Sequence, residues 1–462
     1  MKPMKKHHAT DKSGDALKIA AELAERYLKS VAERRVSPSH EAVTALRGFH
    51  ESMPEASSNA RDVIALLDEL GSPATVASTG GRYFGFVIGG TLPAALAASW
   101  LASAWDQNMA LRVMSPVGAE LEDVALGWVQ ELLELPDGCD GGLVTCATAA
   151  NFTALTAARS ALLKRNGWNV EDDGVNGAPE IEMVVGEEVH ASVQKALSLG
   201  GFGRKRVKIV EADGQGRMRA EKLPKLSSRT IVCIQAGNVN TGAFDPAEEI
   251  CARAKDAGAW VHVDGAFGLW AGISPKYAEL TRGFSSADSW ATDAHKWLNV
   301  GYDSGIVMVS DGTALRRAMT ISAAYLESGA MREPMNHVPE ASRRARGIEL
   351  WAALKSLGRK GLGELIERTC DLAKLFSTKL HEAGFEILND VVINQVLVSF
   401  GDAEKTREVV QRVQEEGTCW CGGTVWKGRT AMRISVSSWA TTEEDVEKSV
   451  AAMVWAASKA GR

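Results

Sequence analysis

The sequence predicts an α/β protein with a large domain on a mainly parallel sheet and a smaller α+β domain behind it. Three observations support this fold class. From about residue 91 to residue 350, short apolar strands alternate with helices, which is typical of parallel sheets covered on both faces. Beyond residue 350, longer helices separate fewer strands. A length of 462 residues also exceeds what one core usually holds.

Three parts are predicted along the chain. Residues 1–90 contain amphipathic helices at 16–35 and 59–70 but too few apolar residues for a core. We therefore expect an N-terminal helical arm that packs on the main domain or on a partner subunit. Residues 91–350 form the large domain, and residues 351–462 form the small C-terminal domain.

The elements of the two domains are predicted from their periodicity and flanking turns. In the large domain we expect strands at 143–145, 181–186, 205–210, 230–234, 260–264 and 304–309, and helices at 151–166, 192–199 and 246–257. In the small domain we expect strands at 385–389, 395–400 and 430–436, and helices at 361–383, 403–416 and 442–457. Thr441 or Thr442 is the expected cap of the last helix.

Composition and charge exclude several classes of partner. Hydrophobic residues make up 45% of the chain, and the formal net charge is −6 without a basic stripe, so neither nucleic acid nor an anionic membrane is an expected partner. No apolar run approaches the roughly 20 residues of a membrane span. Residues 1–14 are basic and polar, unlike a secretory signal.

The cysteines favour a reducing compartment. There are seven of them without framework spacing, and we therefore expect a cytoplasmic protein. Cys419 and Cys421 are separated by one residue, which is the wrong spacing for a redox CxxC pair, and no second pair follows. A structural role is expected for both.

The segment Trp260–Phe267 is a buried strand that ends in a carboxylate. Ligands of open α/β sheets gather at the carboxyl ends of strands, so Asp264 can hold a protonated ring nitrogen. Ala266 lies two residues on, where strand alternation would turn it to the same face, and it is small enough for a flat ring to lie against it. The structural alternative for Asp264 is a turn cap before Gly265.

The segment Ala291–Trp297 places a lysine in a short polar stretch. Lys296 can form a Schiff base if its surroundings keep it partly neutral, and the neighbouring His295 and Asp293 are candidates for cofactor contacts. Taken alone, a His-Lys pair is a weak signal, and an ordinary surface lysine is the favoured interpretation.

Two further segments can contact a cofactor. His190 precedes a helix for which Ser192 is the expected cap, so its imidazole can stack on the ring face opposite Ala266. A helix-terminal histidine without a ligand is the alternative. A turn of small residues before the helix at 151–166 offers backbone N–H groups at Ala147 and Thr148, and the hydroxyl of Thr148, to a phosphate.

In order and spacing, these four segments resemble the group II pyridoxal-phosphate-dependent amino-acid decarboxylases. That family includes the glutamate, histidine, tyrosine and aromatic L-amino-acid decarboxylases. The resemblance runs from Arg82-Tyr-Phe-Gly into the C-terminal domain, and the 32 residues from Asp264 to Lys296, with His-Val-Asp at one end and His-Lys-Trp at the other, are its most specific part.

The resemblance implies a fold-type I enzyme with a seven-stranded type of sheet, working as a homodimer whose arms wrap the partner. It implies pyridoxal 5'-phosphate as a Schiff base on Lys296, Asp264 against the pyridine nitrogen and His190 stacked on the ring. Thr148 and His295 would contact the phosphate. The implied activity is decarboxylation of an L-amino acid to an amine and CO₂.

The resemblance also gives a role to Tyr325, 29 residues after the lysine. It corresponds to the loop tyrosine that protonates the substrate carbon after CO₂ leaves, whereas relatives with phenylalanine there form aldehydes oxidatively. Retention of tyrosine favours simple decarboxylation. A packing tyrosine in an ordered loop is the alternative.

Some features depart from the family or have no assigned role. Cys146 and Ala147 stand where the family has glycines in the phosphate turn. The cluster Arg343, Arg344 and Arg346 could hold a substrate carboxylate, buttress a dimer or be solvated, and Arg433 could bind a carboxylate or end a strand. A carbon–carbon lyase, an aminotransferase and a non-catalytic homologue are the alternative functions.

Overall fold

The computed structural model describes residues 10–320 and 331–461, so Tyr325 lies outside the described residues. The helices are α1 Thr10–Ser30, α2 His40–Ala45, α3 Ala60–Gly71, α4 Pro93–Trp105, α5 Pro116–Leu132, α6 Ala147–Arg165, α7 Val170–Asp173, α8 Ala191–Leu199, α9 Ala247–Asp256, α10 Gly312–Met319, α11 Gly347–Glu382, α12 Ala403–Glu416 and α13 Glu443–Lys459. The strands are β1 Asp140–Val144, β2 Glu182–Gly186, β3 Val207–Val210, β4 Thr230–Gln235, β5 Trp260–Asp264, β6 Ser289–Asp293, β7 Gly305–Val309, β8 Glu386–Ile387, β9 Gln395–Ser399, β10 Gly422–Trp426 and β11 Arg429–Ser435.

The large sheet has seven strands in the order β1-β7-β6-β5-β4-β2-β3. Strands β2 to β6 pair in parallel, and β7 runs antiparallel to both of its neighbours. Every residue of β4, β5, β6 and β7 is buried, because helices cover both faces of the sheet. The predicted α/β fold class with a mainly parallel sheet is confirmed.

A second sheet carries the smaller domain. Its four strands are antiparallel in the order β10-β11-β9-β8, and α11, α12 and α13 pack against it. Thr442 caps α13 through a reciprocal capping box with Asp445, as the sequence predicts for one of the two threonines. This part confirms the smaller α+β unit.

The end of the predicted arm is hydrogen-bonded to the small sheet. The amide of Phe84 donates to the carbonyl of Trp420 at 2.8 Å, and the amide of Ser435 donates to the carbonyl of Phe84 at 3.0 Å. Earlier in the chain, α1 and α3 pack on each other. Segment 82–84 thereby connects the N-terminal helices to the C-terminal strands.

Strands β6 and β10 and helices α2, α5, α7 and α10 were not predicted from the sequence. Strand β6 (Ser-Trp-Ala-Thr-Asp) has no apolar run, but it lies between β5 and β7, and its buried Ser289 finds hydrogen-bond partners there. Strand β10 begins with two glycines, which weaken a strand signal. Helix α11 also begins earlier than predicted, at Gly347, with a break at Gly358 where φ is 61°.

Two results bear on the cellular setting expected from the sequence. Within residues 10–320 and 331–461, no helix combines the length and apolarity that a membrane crossing requires. All seven cysteines are free, and Cys419 and Cys421 are buried, in keeping with a structural role.

Candidate active site

The candidate site lies at the carboxyl ends of β5 and β6, where Asp264 is the last residue of a fully buried strand. Asp264 is only 4% exposed. Its Oδ2 atom lies 3.3 Å from the Ser192 hydroxyl and 3.5 Å from Nδ2 of Asn151, and its Oδ1 accepts the Ala266 amide at 3.3 Å. The carboxylate is therefore fixed by donors and faces the edge of the sheet where ligands bind.

Ala266 follows β5 instead of continuing it, because the strand ends at Asp264. The strand alternation that the sequence suggested for Ala266 therefore does not apply. Its carbonyl accepts the Asp293 amide at 3.0 Å, and Ala266 is half-buried while both of its neighbours are buried. The turn, not the strand, leaves this methyl group partly uncovered beside Asp264.

Lys296 follows β6, three residues after its last residue. Its Nζ lies 3.0 Å from Oδ2 of Asp293, and its side chain is 17% exposed. Gly89 packs directly on the lysine backbone, since a Cβ on that glycine would lie 1.8 Å from the Lys296 carbonyl oxygen. The lysine is thus held from two sides, by a carboxylate and by a backbone approach that only glycine permits.

His190 is the N-cap of α8, and this corrects the expectation that Ser192 caps the helix. The imidazole accepts the Ser192 amide through Nδ1 at 3.2 Å, and the same nitrogen lies 2.7 Å from the Ser192 hydroxyl. Burial lowers the pKa of His190, and the nearby Lys296 and Arg433 lower it further against the opposing effect of Asp264. A neutral ring is therefore favoured.

The anion site predicted from the sequence falls at the N-terminus of the 19-residue helix α6. Cys146 occupies the N-cap without a side-chain hydrogen bond. The Ala147 amide donates to Oδ1 of Asp293 at 2.5 Å, so it is already paired in this structure. The Thr148 hydroxyl makes no hydrogen bond to another described residue and is half-buried, which leaves it available to an anion at the positive end of the helix.

His295 lies beside the same helix end. Its ring stacks on Tyr302 with centroids 4.2 Å apart, and Nδ1 accepts the Ser304 amide at 3.2 Å. The neutral ring therefore carries its proton on Nε2, which lies 3.6 Å from Oδ1 of Asp293. Burial lowers the pKa of His295, which favours that neutral form.

Arg433 is a cation close to this site. It belongs to β11 of the small sheet, and it makes no ion pair with any residue in the described ranges. Burial lowers its pKa, and its charge acts on His190. A largely buried guanidinium without a partner carboxylate suits an anionic ligand.

The arginine cluster before the small domain is engaged elsewhere. Arg343 pairs with the fully buried Glu122 at 2.8 Å, and Arg346 pairs with Asp303 at 2.8 Å. Arg344 pairs with Glu349. All three arginines therefore form ion pairs with carboxylates of the same chain, which is a structural role.

Asn151 is the site residue that the sequence did not single out. It lies on α6 with no exposed surface, and its amide faces Ser192 and Asp264. The available signal was a polar residue on the face of a helix that is otherwise lined by alanine, leucine and threonine. A helix start was expected there, whereas α6 begins four residues earlier.

The donor set fits pyridoxal phosphate. One end offers Thr148, His295 and the free amide groups of a long helix, which suit a phosphate. The other end offers the buried carboxylate Asp264, which suits a protonated pyridine nitrogen. The Lys296 amine follows His295 in sequence and lies near Asp264 in space, because both Lys296 and Asp264 act electrostatically on His190. Among the described residues, no group of three or more histidine, cysteine, aspartate or glutamate side chains could hold a metal ion.

Comparison with known proteins identifies related chains. Residues 46–401 match the model of the pyridoxal-dependent decarboxylase conserved domain. A histidine decarboxylase of Drosophila melanogaster is 30% identical over 359 residues, which cover 72% of this chain but only 42% of that protein. A phenylacetaldehyde synthase of Arabidopsis thaliana is 27% identical over 367 residues, covering 73% of each chain.

Solved structures share the whole fold. A TDC of Oryza sativa, crystallised with PLP and tryptamine, superposes with a TM-score of 0.90 at 23% identity and covers 99% of both chains. A tryptophan decarboxylase of Catharanthus roseus in complex with L-tryptophan gives 0.86 at 20% identity, covering 98% of this chain and 99% of that one. These matches confirm the predicted fold.

Proposed function

The chain belongs to the pyridoxal-dependent decarboxylase family, and from this premise we propose that it converts an L-amino acid to its amine and CO₂ with the cofactor carried on Lys296. Members of the family are carboxy-lyases that depend on pyridoxal phosphate. The observation that carries the proposal is the convergence of Asp264, Lys296 and His190 at one edge of the sheet.

Each residue of the site has a proposed task toward the cofactor. The Nζ of Lys296 would hold the aldehyde carbon as a Schiff base. Asp264 would keep a proton on the pyridine nitrogen, and His190 would lie against the ring. Thr148 and His295, with the N-terminus of α6, would bind the phosphate. Bound in this way, the cofactor supplies an electron sink for the carbon that loses CO₂.

Ala266, Ala147 and Asp293 complete the proposed cofactor site. The methyl group of Ala266 would face the ring opposite His190. Asp293 holds the Ala147 amide and the Lys296 ammonium at once, so it connects the lysine to the phosphate end of the site. Its ion pair keeps the lysine amine near the phosphate end before the cofactor binds.

Substrate binding and proton delivery would use two other residues. Arg433 is proposed to hold a carboxylate of the substrate, because it is largely buried near His190 and pairs with no described carboxylate. Tyr325, outside the described residues, is proposed to return a proton to the substrate carbon, so that an amine and not an aldehyde leaves.

A homodimer is proposed as the working form. Helix α4 exposes Trp100, Leu101 and Trp105 by 46%, 53% and 44%, and Val113 beside it is 81% exposed. A cavity of about 630 Å³ lies at the C-terminal end of α4, where Ala102, Asp106 and Asn108 are among the residues that line it. Such a cluster of large apolar groups is characteristic of an interface.

The N-terminal helical arm, residues 1–90, is proposed to wrap the partner. In α1 and α3, Leu17, Val63 and Leu67 are exposed by 69%, 50% and 56%, and α3 contains no buried residue. The large domain at 91–350 and the small domain at 351–462 would then form the body of each subunit. The free cysteines support the proposed cytoplasmic setting.

The test is release of CO₂ from amino acids by the purified protein with added pyridoxal phosphate. A panel of aromatic, acidic and small aliphatic L-amino acids is offered to the wild type and to Lys296→Arg, and amine, aldehyde and CO₂ are measured together. We expect CO₂ and an equal amount of amine from at least one substrate, and none from the variant. If the wild type binds the cofactor but transfers the amino group without releasing CO₂, the decarboxylase proposal is wrong.

A further inference from the structure

Strand β5 presents three large polar or aromatic side chains on one face. Trp260, His262 and Asp264 alternate with Val261 and Val263, so the three point to the opposite side of the sheet from the valines. Trp260 packs in the apolar cluster that contains α6, whereas the valines belong to the other core. Trp260 is 1% exposed, His262 is not exposed at all, and Asp264 is 4% exposed.

His262 joins the two neighbouring elements through both of its ring nitrogens. Nδ1 lies 2.9 Å from the hydroxyl of Ser289 on β6, which also accepts the Trp260 indole N–H at 2.9 Å. Nε2 lies 2.8 Å from Oδ1 of Asn151 on α6. The other end of that carboxamide, Nδ2, faces Oδ2 of Asp264 at 3.5 Å.

The chemistry of these groups sets the direction of each hydrogen bond. Asn151 must turn its NH₂ toward Asp264, because the opposite orientation would place a carbonyl oxygen against a carboxylate. Its Oδ1 can then only accept, so Nε2 of His262 must be the donor. Nδ1 is left to accept the hydroxyl proton of Ser289, whose oxygen in turn accepts the indole N–H of Trp260.

Burial supports this arrangement. It lowers the pKa of His262 to about 3, so the ring carries one proton near neutral pH. The Ser192 hydroxyl, the other side chain at Oδ2 of Asp264, has a single proton and also lies 2.7 Å from His190. Asn151 has two amide protons, which reach Ser192 at 3.3 Å and Asp264 at 3.5 Å. Asn151 is therefore the donor that does not depend on His190.

We propose that His262 is a positioning residue for the reaction: its Nε2–H locks the Asn151 carboxamide so that every donor of the chain Trp260, Ser289, His262 and Asn151 points toward Asp264, and this holds that carboxylate in place against the pyridine nitrogen. The inference rests on the proposed role of Asp264. His262 touches no reacting atom and acts through Asn151 alone. Without the hydrogen bond from His262, the carboxamide can turn its oxygen toward Asp264. The interaction of that carboxylate with the ring proton is then weaker.

Two substitutions separate the lock from simple packing. In His262→Gln, the side-chain amide nitrogen can take the position of Nε2 and still donate to Asn151. In His262→Asn, the shorter amide reaches the position of Nδ1 and keeps only the contact with Ser289. Thr406→Val serves as a control for stability, since it removes a buried hydrogen bond to the Phe400 amide at 3.2 Å in the small domain.

The readout is the ¹⁵N chemical shift of cofactor labelled at the pyridine nitrogen, followed against pH in the reconstituted protein. We expect the half-protonation pH of this nitrogen to fall by about one unit in His262→Asn, a tenfold loss in the protonation equilibrium. His262→Gln and Thr406→Val should titrate like the wild type. The proposal is overturned if His262→Asn also does, or if the Gln and Asn variants shift equally.

A second measurement needs neither the cofactor nor a folded variant. In wild-type apoprotein labelled with ¹⁵N-histidine, the imidazole shifts report which nitrogen carries the proton, and His262 should be the Nε2–H tautomer. An Nδ1–H tautomer would reverse the chain of donors and overturn the inference. If the wild type fails to take up the cofactor, the proposed function fails, and the tautomer still decides the direction of the hydrogen bonds.

Discussion

Among single residues, Asp264 has the task on which the proposed chemistry depends most. We expect Asp264→Asn to lower kcat for CO₂ release by roughly 10²- to 10³-fold, the range found when one preorganised electrostatic contact is removed. An amide cannot keep the ring nitrogen protonated. The measurement is steady-state CO₂ release with saturating cofactor.

The matched control for Asp264→Asn is Asp402→Asn. Asp402 caps α12 by accepting the Lys405 amide at 2.8 Å, and asparagine caps a helix equally well. It should leave kcat unchanged. A similar loss of activity in both variants would show that the assay reports general damage and would remove the support for Asp264.

His262 also predicts how stability depends on pH. Its pKa is about 3 in the folded chain and 6.5 in the reference state, so the unfolded chain binds a proton that the folded chain refuses. The contribution of the neutral His262 ring to the unfolding free energy is complete above pH 6.5. It is lost as pH falls toward 3, by up to ~1.4 kcal/mol per pH unit.

Urea unfolding of the apoprotein at pH 7.5, 6.5, 5.5 and 5.0, compared with His262→Gln, checks this dependence. Other histidines are common to both proteins and cancel in the difference. We expect the unfolding free energy of the wild type to fall more steeply than that of His262→Gln as pH falls. A difference that stays constant over this range contradicts a neutral buried His262.

Sequence reasoning at this scale found the residues that have a recognisable spacing. Asp264, Lys296 and His190 were chosen in this way, and they lie near one another in the structure, while their roles stay proposals. Asn151 and the cap of α8 were missed for the same reason, because both depend on which side chains meet across the interior. Periodicity marks Asn151 only as a helical residue, and only the packing of α6 on β5 turns its amide toward Asp264.

At the scale of elements, the approach of segment 83–90 to Lys296 is tight enough to test. Gly89→Ala places a methyl group 1.8 Å from the Lys296 carbonyl oxygen. We expect the unfolding free energy to fall by ~1–3 kcal/mol, as in overpacked sites, and the dissociation constant for the cofactor to rise. Denaturant unfolding and cofactor titration measure the two effects.

Gly127→Ala is the paired control for Gly89→Ala. Gly127 lies on α5, and a Cβ there would meet nothing within 4 Å. An alanine in a helix should raise the unfolding free energy by ~0.5–1 kcal/mol and leave cofactor binding unchanged. If Gly89→Ala behaves like this control, segment 83–90 does not position the lysine.

The strands that were predicted and those that were missed differ in a physical way. Strands β4 and β7 are mainly apolar on both faces, so their sequences indicate strands of a buried sheet. Strand β6 is equally buried but contains Ser289 and Thr292. Ser289 can be buried there because Trp260 and His262 form hydrogen bonds with its hydroxyl. Those partners cannot be recognised from the sequence of β6 alone.

At the scale of the whole molecule, the exposed face of α4 predicts the oligomeric state. We expect the wild type to be a dimer in solution and Trp105→Glu to be mainly monomeric, because a buried unpaired carboxylate strongly disfavours an interface. Light scattering coupled to size-exclusion chromatography measures the mass.

Trp455→Glu is the control for the dimer prediction. Trp455 on α13 is 45% exposed, against 44% for Trp105, so the two substitutions change surface polarity alike. Trp455→Glu should remain dimeric. A monomeric wild type, or dissociation in both variants, would contradict the assignment of the interface to α4.

The overall architecture was predictable because the alternation of strands and helices is a property of the entire chain. The seven-stranded sheet and the smaller antiparallel sheet follow that alternation. The tie between segment 82–84 and the small sheet was not predictable, since residues more than 300 positions apart in sequence pair there. No local pattern in either segment indicates its partner.

The most direct test of the account is to locate the cofactor on the chain. The protein is incubated with pyridoxal phosphate, reduced with borohydride and digested, and the modified peptide is sequenced by mass spectrometry. We predict an absorbance band at the visible edge that is lost on reduction, with the added mass on Lys296 and none in Lys296→Arg. Label on another lysine, or no stable label at all, would contradict the central claim.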